Sequence, residues 1–515
     1  MLFNSYFFIF LFLPLTLIVF YKLNKYSSQA AISWLVIASL FFYGWWNPVY
    51  IGLIILSILF NFIVSELMNA QQSHHIKKLL LIAGVTFNLF LLGYFKYANF
   101  FVNNINSVFH TSMSLDEIIL PLAISFFTFQ QIAYLADNYQ SKTNEHSFIH
   151  YCLFVTFFPQ LIAGPIVHHK EMMPQFIKGI SQSKISENIA IGITVFSIGL
   201  FKKVMLADQL ANIADKPFDA AAAGAILTFF EAWIASFAYS FQLYFDFSGY
   251  SDMAIGIALM FGIKLPMNFN SPYKATSIID FWKRWHITLS RFLRDYLYIP
   301  LGGNRKGSIR RYTNLLITMI LGGLWHGASW NFVVWGGLHG FYLIVNHAWI
   351  AVKHSLGFRN HSENKMTTFL ARFSTLLLIT IAWVPFRAND LATTISVLKG
   401  MFGMHGFTWV QISSGTSNTL QTFLISIGWR FEQMLFFKGP NDLIILAAVI
   451  GLVWWLPNTQ QITGICKTEV SSNIIISPKK RYWAPTTGWA IFIAATLFVS
   501  ILHLDRISAF LYFQF

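Results

Sequence analysis

Charge is what this sequence has least of. Only 11% of its 515 residues are Asp, Glu, Lys or Arg, while 56% are hydrophobic, and mean hydropathy is +0.56. So few polar side chains cannot cover a water-soluble particle of that length, which points to an integral membrane protein. Cysteine is nearly absent: Cys152 and Cys466 stand far apart and match no metal or redox spacing, so neither receives a function. No G-x-S-x-G elbow, C-x-x-C pair or H-E-x-x-H signature occurs, which argues against a serine hydrolase, a redox enzyme or a metalloprotease. Internal repeats are not detectable either, which weakens a transporter built from inverted halves.

What is there is apolar and aromatic, with 54 Phe and 17 Trp. Runs able to cross most of a hydrocarbon core of ~30 Å lie near 5–22, 31–46, 50–68, 79–97, 117–136, 187–205, 224–242, 313–325, 329–350, 367–386, 441–457 and 486–504. Shorter apolar pieces occur near 151–167 and 249–263, and the mixed stretch 405–435 reads as an extramembrane loop with a short amphipathic helix. The expectation is an all-α polytopic protein with about eleven spans plus re-entrant or interfacial helices, forming one membrane domain over 1–515. The first span has no A-x-A-like cleavage site and reads as retained. Lys22 and Lys25 follow span one and His74, His75, Lys77 and Lys78 follow span three, whereas the link at Asn47-Pro48 has no base. The positive-inside rule then faces the N-terminus outward. A net charge of +14, scattered over short loops, fits anionic headgroups and an anionic donor molecule better than nucleic acid.

The most charged stretch runs from Lys274 to Arg311, with nine Lys or Arg against Asp280 and Asp295, and by the same rule it faces the cytosol. Its spacing predicts a helix from Asp280 to just before Pro300, with Trp282, Trp285, His286, Leu289, Phe292, Leu293 and Tyr296 on one arc. Lys283, Arg284, Arg291 and Arg294 occupy the other arc. Such a helix lies at the interface with His286 at the margin of its aromatic face. An orienting loop that binds headgroups and a donor-binding surface are both open readings.

LGGLWHGASWNFVVWGGLHG, residues 321–340, places His326 inside an apolar run. A helical path from Arg311 carries it on the order of 20 Å from the basic rim. Ionisable groups at such depth are costly and mark function by default, the alternative being a neutral imidazole bonded across a helix interface. A neutral imidazole in a dry pocket suits proton abstraction from a hydroxyl. His339, thirteen positions on, would lie about 220° round a continuous helix, so a shared metal is not expected. Gly336 and Gly340 form a small-xxx-small pair that admits another helix, with His339 a packing or hydrogen-bonding residue. In FQLYFDFSGYSDMAIGIALMFG, residues 241–262, Asp246 and Asp252 stand at the entrance of an apolar run. They read either as partners for the basic helix or as shapers of a substrate site together with Ser248.

Three stretches together, YFDFSGYSDMAIGIALMFGI, FWKRWHITLSRFLRDYLYIPLGGN and GGLWHGASWNFVVWGGLHG, resemble the membrane-bound O-acyltransferase (MBOAT) family. The resemblance is greatest to its bacterial alginate O-acetylase branch, which FFPQLIAGPI at 157–166 also fits, and is more distant to the teichoic-acid D-alanyl transfer proteins. It implies a ring of spans around a central funnel open to the cytosol, with a motif core at about 150–345 and C-terminal spans at about 367–504. It places His326 on the family's catalytic histidine and His286 on its second functional position. The implied reaction is acyl transfer from a cytosolic thioester, acetyl-CoA or an equivalent, with no metal or resident cofactor, for O-acetylation of a secreted or surface polysaccharide. His286 would orient the thioester carbonyl or stabilise its oxyanion. Lys283, Arg284, Arg291 and Arg305 would attract donor phosphates, and Trp285, Asp246, Ser248, Trp325 and Asn331 complete the candidate donor- and substrate-binding set. Implied partners are lipids, polysaccharide-synthesis machinery and an SGNH-type periplasmic acetyltransferase, at a bacterial inner membrane. The competing readings are a flippase that moves an acyl donor or lipid-linked sugar without chemistry, and a family member acylating lipid or protein hydroxyls.

Overall fold

A computed structural model describes residues 1–116, 118–140, 147–178, 184–357, 364–409, 425, 429–431, 440–465, 482–504 and 510–511. Helices carry nearly all of its regular structure. Among the described residues the exception is a parallel pair of three-residue strands, Phe407–Trp409 beside Trp429–Phe431. That pair is what the described part of 405–435 forms; the amphipathic helix expected there, and Cys466, lie outside the described residues.

Four helical runs are long and apolar enough to cross a membrane: Val49–Ala70, His74–Phe109, Ile185–Ala222 and Lys365–Arg387. Shorter apolar helices include Phe8–Asn24, Ser28–Gly44, Asn441–Trp455 and Thr487–Leu502, near the expected spans, and Leu391–Met401, which hydropathy alone did not reveal. The chain is a multi-pass membrane protein, and Val49–Ala70 shows it in its polarity. Leu56, Leu59, Ile63 and Leu67 are exposed on this helix while Ser57, Asn61 and Ser65 are buried. A helix in water would be stable with the opposite pattern; an apolar exterior is stable against lipid. The buried polar groups find partners across the bundle. Asn61 and Asn88 exchange amide hydrogen bonds of 2.6 and 3.3 Å, Ser65 donates to the Tyr134 hydroxyl at 2.9 Å, and Gln131 donates to Ser57 at 2.8 Å.

The piece at 249–263 and the run at 224–242 are one element. They belong to a single 32-residue helix, Phe229–Met260, about 48 Å long at 1.5 Å per residue. Thr228 and Glu231 close a capping box at its start. From Ala238 to Met260 every residue is buried, so the helix is enclosed on all sides. The helix Ile185–Phe201 approaches it at glycine: a Cβ on Gly256 would lie 2.6 Å from the Gly192 carbonyl oxygen, and one on Gly199 2.6 Å from that of Gly249. Two glycines on each helix, seven residues apart, therefore let the backbones touch.

Asp246 and Asp252 are thus inside the central helix, not at an entrance, and their partners do not come from the basic segment. They are supplied by Lys202 and Lys203, on the π-helical turn Lys202–Ala207 that continues Ile185–Phe201. Lys203 meets Asp246 at 2.6 Å and Asp208 at 2.9 Å, and Lys202 meets Asp252 at 2.6 Å. Thr459 and Gln460 donate to Asp252 at 2.6 and 2.7 Å, and the Leu511 N–H donates to Asp246 at 3.0 Å. Burying a carboxylate is tolerable only with such saturation. The sequence expectation was right that these acids needed cations and wrong about which.

The central helix also joins two apolar clusters. Its residues up to Phe247 pack with Phe281, Trp285, Trp335 and Trp383, whereas those from Tyr250 onward pack with the N-terminal helices, Leu289, Phe292 and Trp325. Leucine at position 256 is expected to lower the melting temperature of the detergent-solubilised protein by several degrees, overpacking costing ~1–3 kcal/mol. Leucine at position 52, where an added Cβ meets nothing within 4 Å, should not lower it, since glycine is the poorer helix former; equal melting of the two variants would refute the contact.

Candidate active site

His326 is the last residue of the helix Gly307–His326. The chain breaks there because Gly327 is a poor helix former and Ser329 caps the next helix, Trp330–Ser355, its hydroxyl accepting the Asn331 N–H at 3.2 Å. A helix ending inside apolar surroundings leaves carbonyls that need donors. Consecutive residues of one π-helical turn, Gly93–Tyr97, supply them. The Lys96 ammonium donates to the carbonyls of Trp325 at 2.6 Å and His326 at 3.0 Å, and the Tyr97 hydroxyl to that of Leu324 at 2.6 Å. Lys96 makes no ion pair among the described residues, so its charge is set against the negative end of this helix. The imidazole of His326 is enclosed by Trp325, Trp335 and Phe386, with ring centroids at 5.0, 5.1 and 5.1 Å.

His286 is fully buried. The continuous interfacial helix expected from Asp280 is instead two short helices, Ile278–Trp282, capped by Ser277, and Ile287–Leu293. Between them His286 takes a left-handed conformation with φ 41°. Tertiary pairing overrides the local periodicity: the Asn270 N–H donates to the Arg284 carbonyl and the Ile287 N–H to that of Asn268, both at 2.9 Å. The break turns His286 inward, away from the interface. Its Nδ1 lies 3.1 Å from Asn268 Oδ1, and its Nε2 is buried without a hydrogen-bond partner among the described residues. Phe247 of the central helix packs edge-on at 4.8 Å. The Trp325 ring reaches both histidines, at 5.0 Å from His326 and 6.2 Å from His286. Both sit on the seam between the two apolar clusters, Trp325 belonging to one and Trp335 to the other. On the Lys96 side a cavity of about 190 Å³ is lined by Phe95, Lys96, Asn99, Ile118, Leu120, Gly327 and Ala328, so it reaches the two residues that follow His326.

The sequence matches the membrane-bound O-acyltransferase family over residues 16–384. The chain belongs to that family. It is 48% identical over 447 residues to a peptidoglycan O-acetyltransferase of Helicobacter pylori, covering 82% of this chain and 83% of that protein. It is 35% identical over 538 residues to a probable alginate O-acetylase, AlgI, of Azotobacter vinelandii, covering all of both. A teichoic acid D-alanyltransferase of Streptococcus thermophilus is 28% identical over 288 residues, 52% of this chain and 69% of that one. The protein is an acyltransferase.

The remaining candidate residues divide by what this acyltransferase does with them. Trp325 stands at the site, its ring against both histidines. Trp325 stacks on Phe129 at 5.1 Å, and Asn331 donates to the Ala388 carbonyl at 2.6 Å while its own Oδ1 is buried without a partner among the described residues. Ser248, on the central helix, is buried with its hydroxyl likewise unpartnered. Trp285 is a packing residue, stacked on Phe281 at 5.6 Å and against Trp383 at 4.9 Å. Arg291 is held in a bidentate pair by Glu171 at 2.7 and 2.9 Å, and Arg284 by Asp280 at 2.8 Å, so each already has an acidic partner. Lys283 and Arg305 are exposed. Asp246 is a structural partner of Lys203. His339 accepts from the Trp282 indole at 3.2 Å and packs on Trp335 at 4.8 Å, the role expected of it. Gly336 faces the Met319 carbonyl oxygen and Gly340 faces Leu316, as their spacing suggested. No group of three His, Cys, Asp or Glu residues is placed to hold a metal among the described residues.

Sequence reasoning missed Lys96, Tyr97 and Asn268. For Lys96 the visible signal is a lysine followed by a tyrosine at the end of an apolar run. Substituting Lys96 by methionine removes the donor from the last two carbonyls of the histidine helix. Turnover is expected to fall roughly 10²-fold through displacement of His326, with Lys96→Arg retaining more. Initial rates normalised to the folded fraction from size-exclusion chromatography check this, and wild-type turnover in Lys96→Met would refute it.

Proposed function

We propose that this acyltransferase moves an acetyl group from a cytosolic thioester, acetyl-CoA or an equivalent, through the membrane for O-acetylation of a cell-surface or secreted polysaccharide. The observation that carries the reading is the pair His326, at the end of one helix, and His286, at the break between two others, both against the indole of Trp325 in the apolar interior. The names of the relatives, an acetyltransferase for peptidoglycan and alginate O-acetylases, support acetyl as the group and a glycan as its destination. A ring of about eleven spans within one membrane domain, a cytosol-facing funnel and an outward N-terminus complete the proposal. They rest on the family resemblance and on the distribution of basic loops.

The acetyl donor approaches from the basic end, where Lys283 and Arg305 are exposed and able to meet phosphates. The acceptor reaches His326 from the Lys96 side through the cavity beside Gly327 and Ala328. His326 takes the proton of the acceptor hydroxyl as its oxygen attacks the thioester carbonyl. The carbon–sulfur bond then breaks, and the departing thiolate recovers that proton from the imidazolium. The acceptor is either the glycan hydroxyl or the hydroxyl of an SGNH-type periplasmic partner that passes the acetyl group on to it.

His326→Ala is expected to remove thioester-dependent acetyl transfer in proteoliposomes by roughly 10²–10⁴-fold, with unchanged membrane insertion and detergent melting. Mass spectrometry of isotopically labelled acetyl esters on extracted glycan provides the readout. Donor hydrolysis or transfer at the wild-type rate in that variant would refute the reading.

A further inference from the structure

Asn268 and His286 make a contact whose hydrogen-bond directions can be solved. Asn268 Oδ1 and Nδ2 are told apart by their neighbours. The backbone N–H of Thr288 can only donate, and it lies 3.3 Å from Oδ1. The Thr288 hydroxyl receives the Ile166 N–H at 3.0 Å, so its own proton is directed to Oδ1, 2.9 Å away. The amide nitrogen of Asn268 meanwhile points at Ser251 Oγ, at 3.3 Å. Oδ1 is therefore an acceptor on every side, and the His286 nitrogen 3.1 Å from it must be a donor. A neutral imidazole with its proton on Nδ1 carries a bare lone pair on Nε2. In His286 that lone pair is fully buried, flanked by Phe247 and Trp325, without a hydrogen-bond partner among the described residues. The left-handed backbone at His286, uncommon for a residue with a Cβ, is the strain that aims it there.

We propose that Asn268 is a positioning residue that fixes His286 as the Nδ1–H tautomer, so that its Nε2 accepts an O–H or N–H from the bound substrate beside His326. This rests on the acyl-transfer reading for its purpose but not for its geometry. It also replaces the role the sequence suggested: a nitrogen without a proton cannot donate to a developing oxyanion, so the oxyanion needs another donor. The group that meets Nε2 is a hydroxyl of the acceptor or an amide N–H of the donor's pantetheine arm, both of which present a proton and demand a lone pair.

The test has a spectroscopic arm and a kinetic one. In the full chain, solubilised and labelled with ¹⁵N-histidine, subtraction of the His286→Gln spectrum isolates the His286 nitrogens in the absence of substrate. Nδ1 is expected to appear protonated and Nε2 unprotonated at neutral pH; the opposite assignment overturns the proposal whatever the enzyme's activity. Asn268→Asp still presents an acceptor oxygen and is expected to keep most of kcat. Asn268→Leu is expected to lower kcat about tenfold or more, with the His286 tautomers mixed; an unchanged donor KM marks the acceptor hydroxyl as the group at Nε2, and a raised donor KM marks the donor's amide N–H. Equal kcat in Asn268→Leu and the wild type also overturns it. Loss of activity in His326→Ala is read separately, so failure of the acyl-transfer reading leaves the tautomer measurement standing.

Discussion

A helix that stops inside an apolar interior leaves several carbonyls with no partner in the helix and no water to turn to. The histidine helix stops in this way, and the site is arranged around that stop. Lys96 and Tyr97 take the carbonyls of Leu324, Trp325 and His326 from one side. Ser329 restarts the chain on the other. The same break places His326 at a helix end rather than along a continuous wall, where a cavity can reach its immediate successors. A continuous helix through 321–340 would have satisfied its own backbone, but it would have closed that approach.

The second constraint is how polar groups are placed in a protein whose exterior is apolar. Hydrogen-bonding side chains sit inside, as Asn61, Asn88, Ser65 and Tyr134 do, and their pairing fixes which helix faces meet. The two histidines are also packed by aromatic rings, His326 by Trp325, Trp335 and Phe386 and His286 by Phe247 and Trp325. They occupy the seam between two separately packed clusters, where a substrate can enter without dismantling either.

The sequence disclosed most of the helices and the catalytic candidates, because hydropathy and local motifs are properties of consecutive residues. His326, the small-residue face at Gly336 and Gly340 and the packing role of His339 were visible for that reason. The expected helix through His286 failed because the residues that break it, Asn268 and Asn270, lie before it in the chain and act through backbone pairing no local pattern contains. The partners of the arginines were illegible in a related way. A charge count shows that Arg291 is basic but not that Glu171, 120 positions earlier, already holds it. The merging of two apolar runs into one enclosed helix was illegible because Asp246 and Asp252 look like an end of a span until their lysines are seen.

Those carboxylates tie the chain's order of synthesis to its stability. Thr459, Gln460 and Leu511 lie beyond the family match at 16–384, yet they complete the bonding of two charges at the centre. During biosynthesis the central helix is made and inserted some two hundred residues before those groups exist. Until then Asp252 has a lysine but lacks its hydroxyl and amide donors, and Asp246 lacks the Leu511 N–H. Thr459, Gln460 and Leu511 therefore act as a closing step for a helix made long before them, and until they arrive its two buried carboxylates are incompletely saturated.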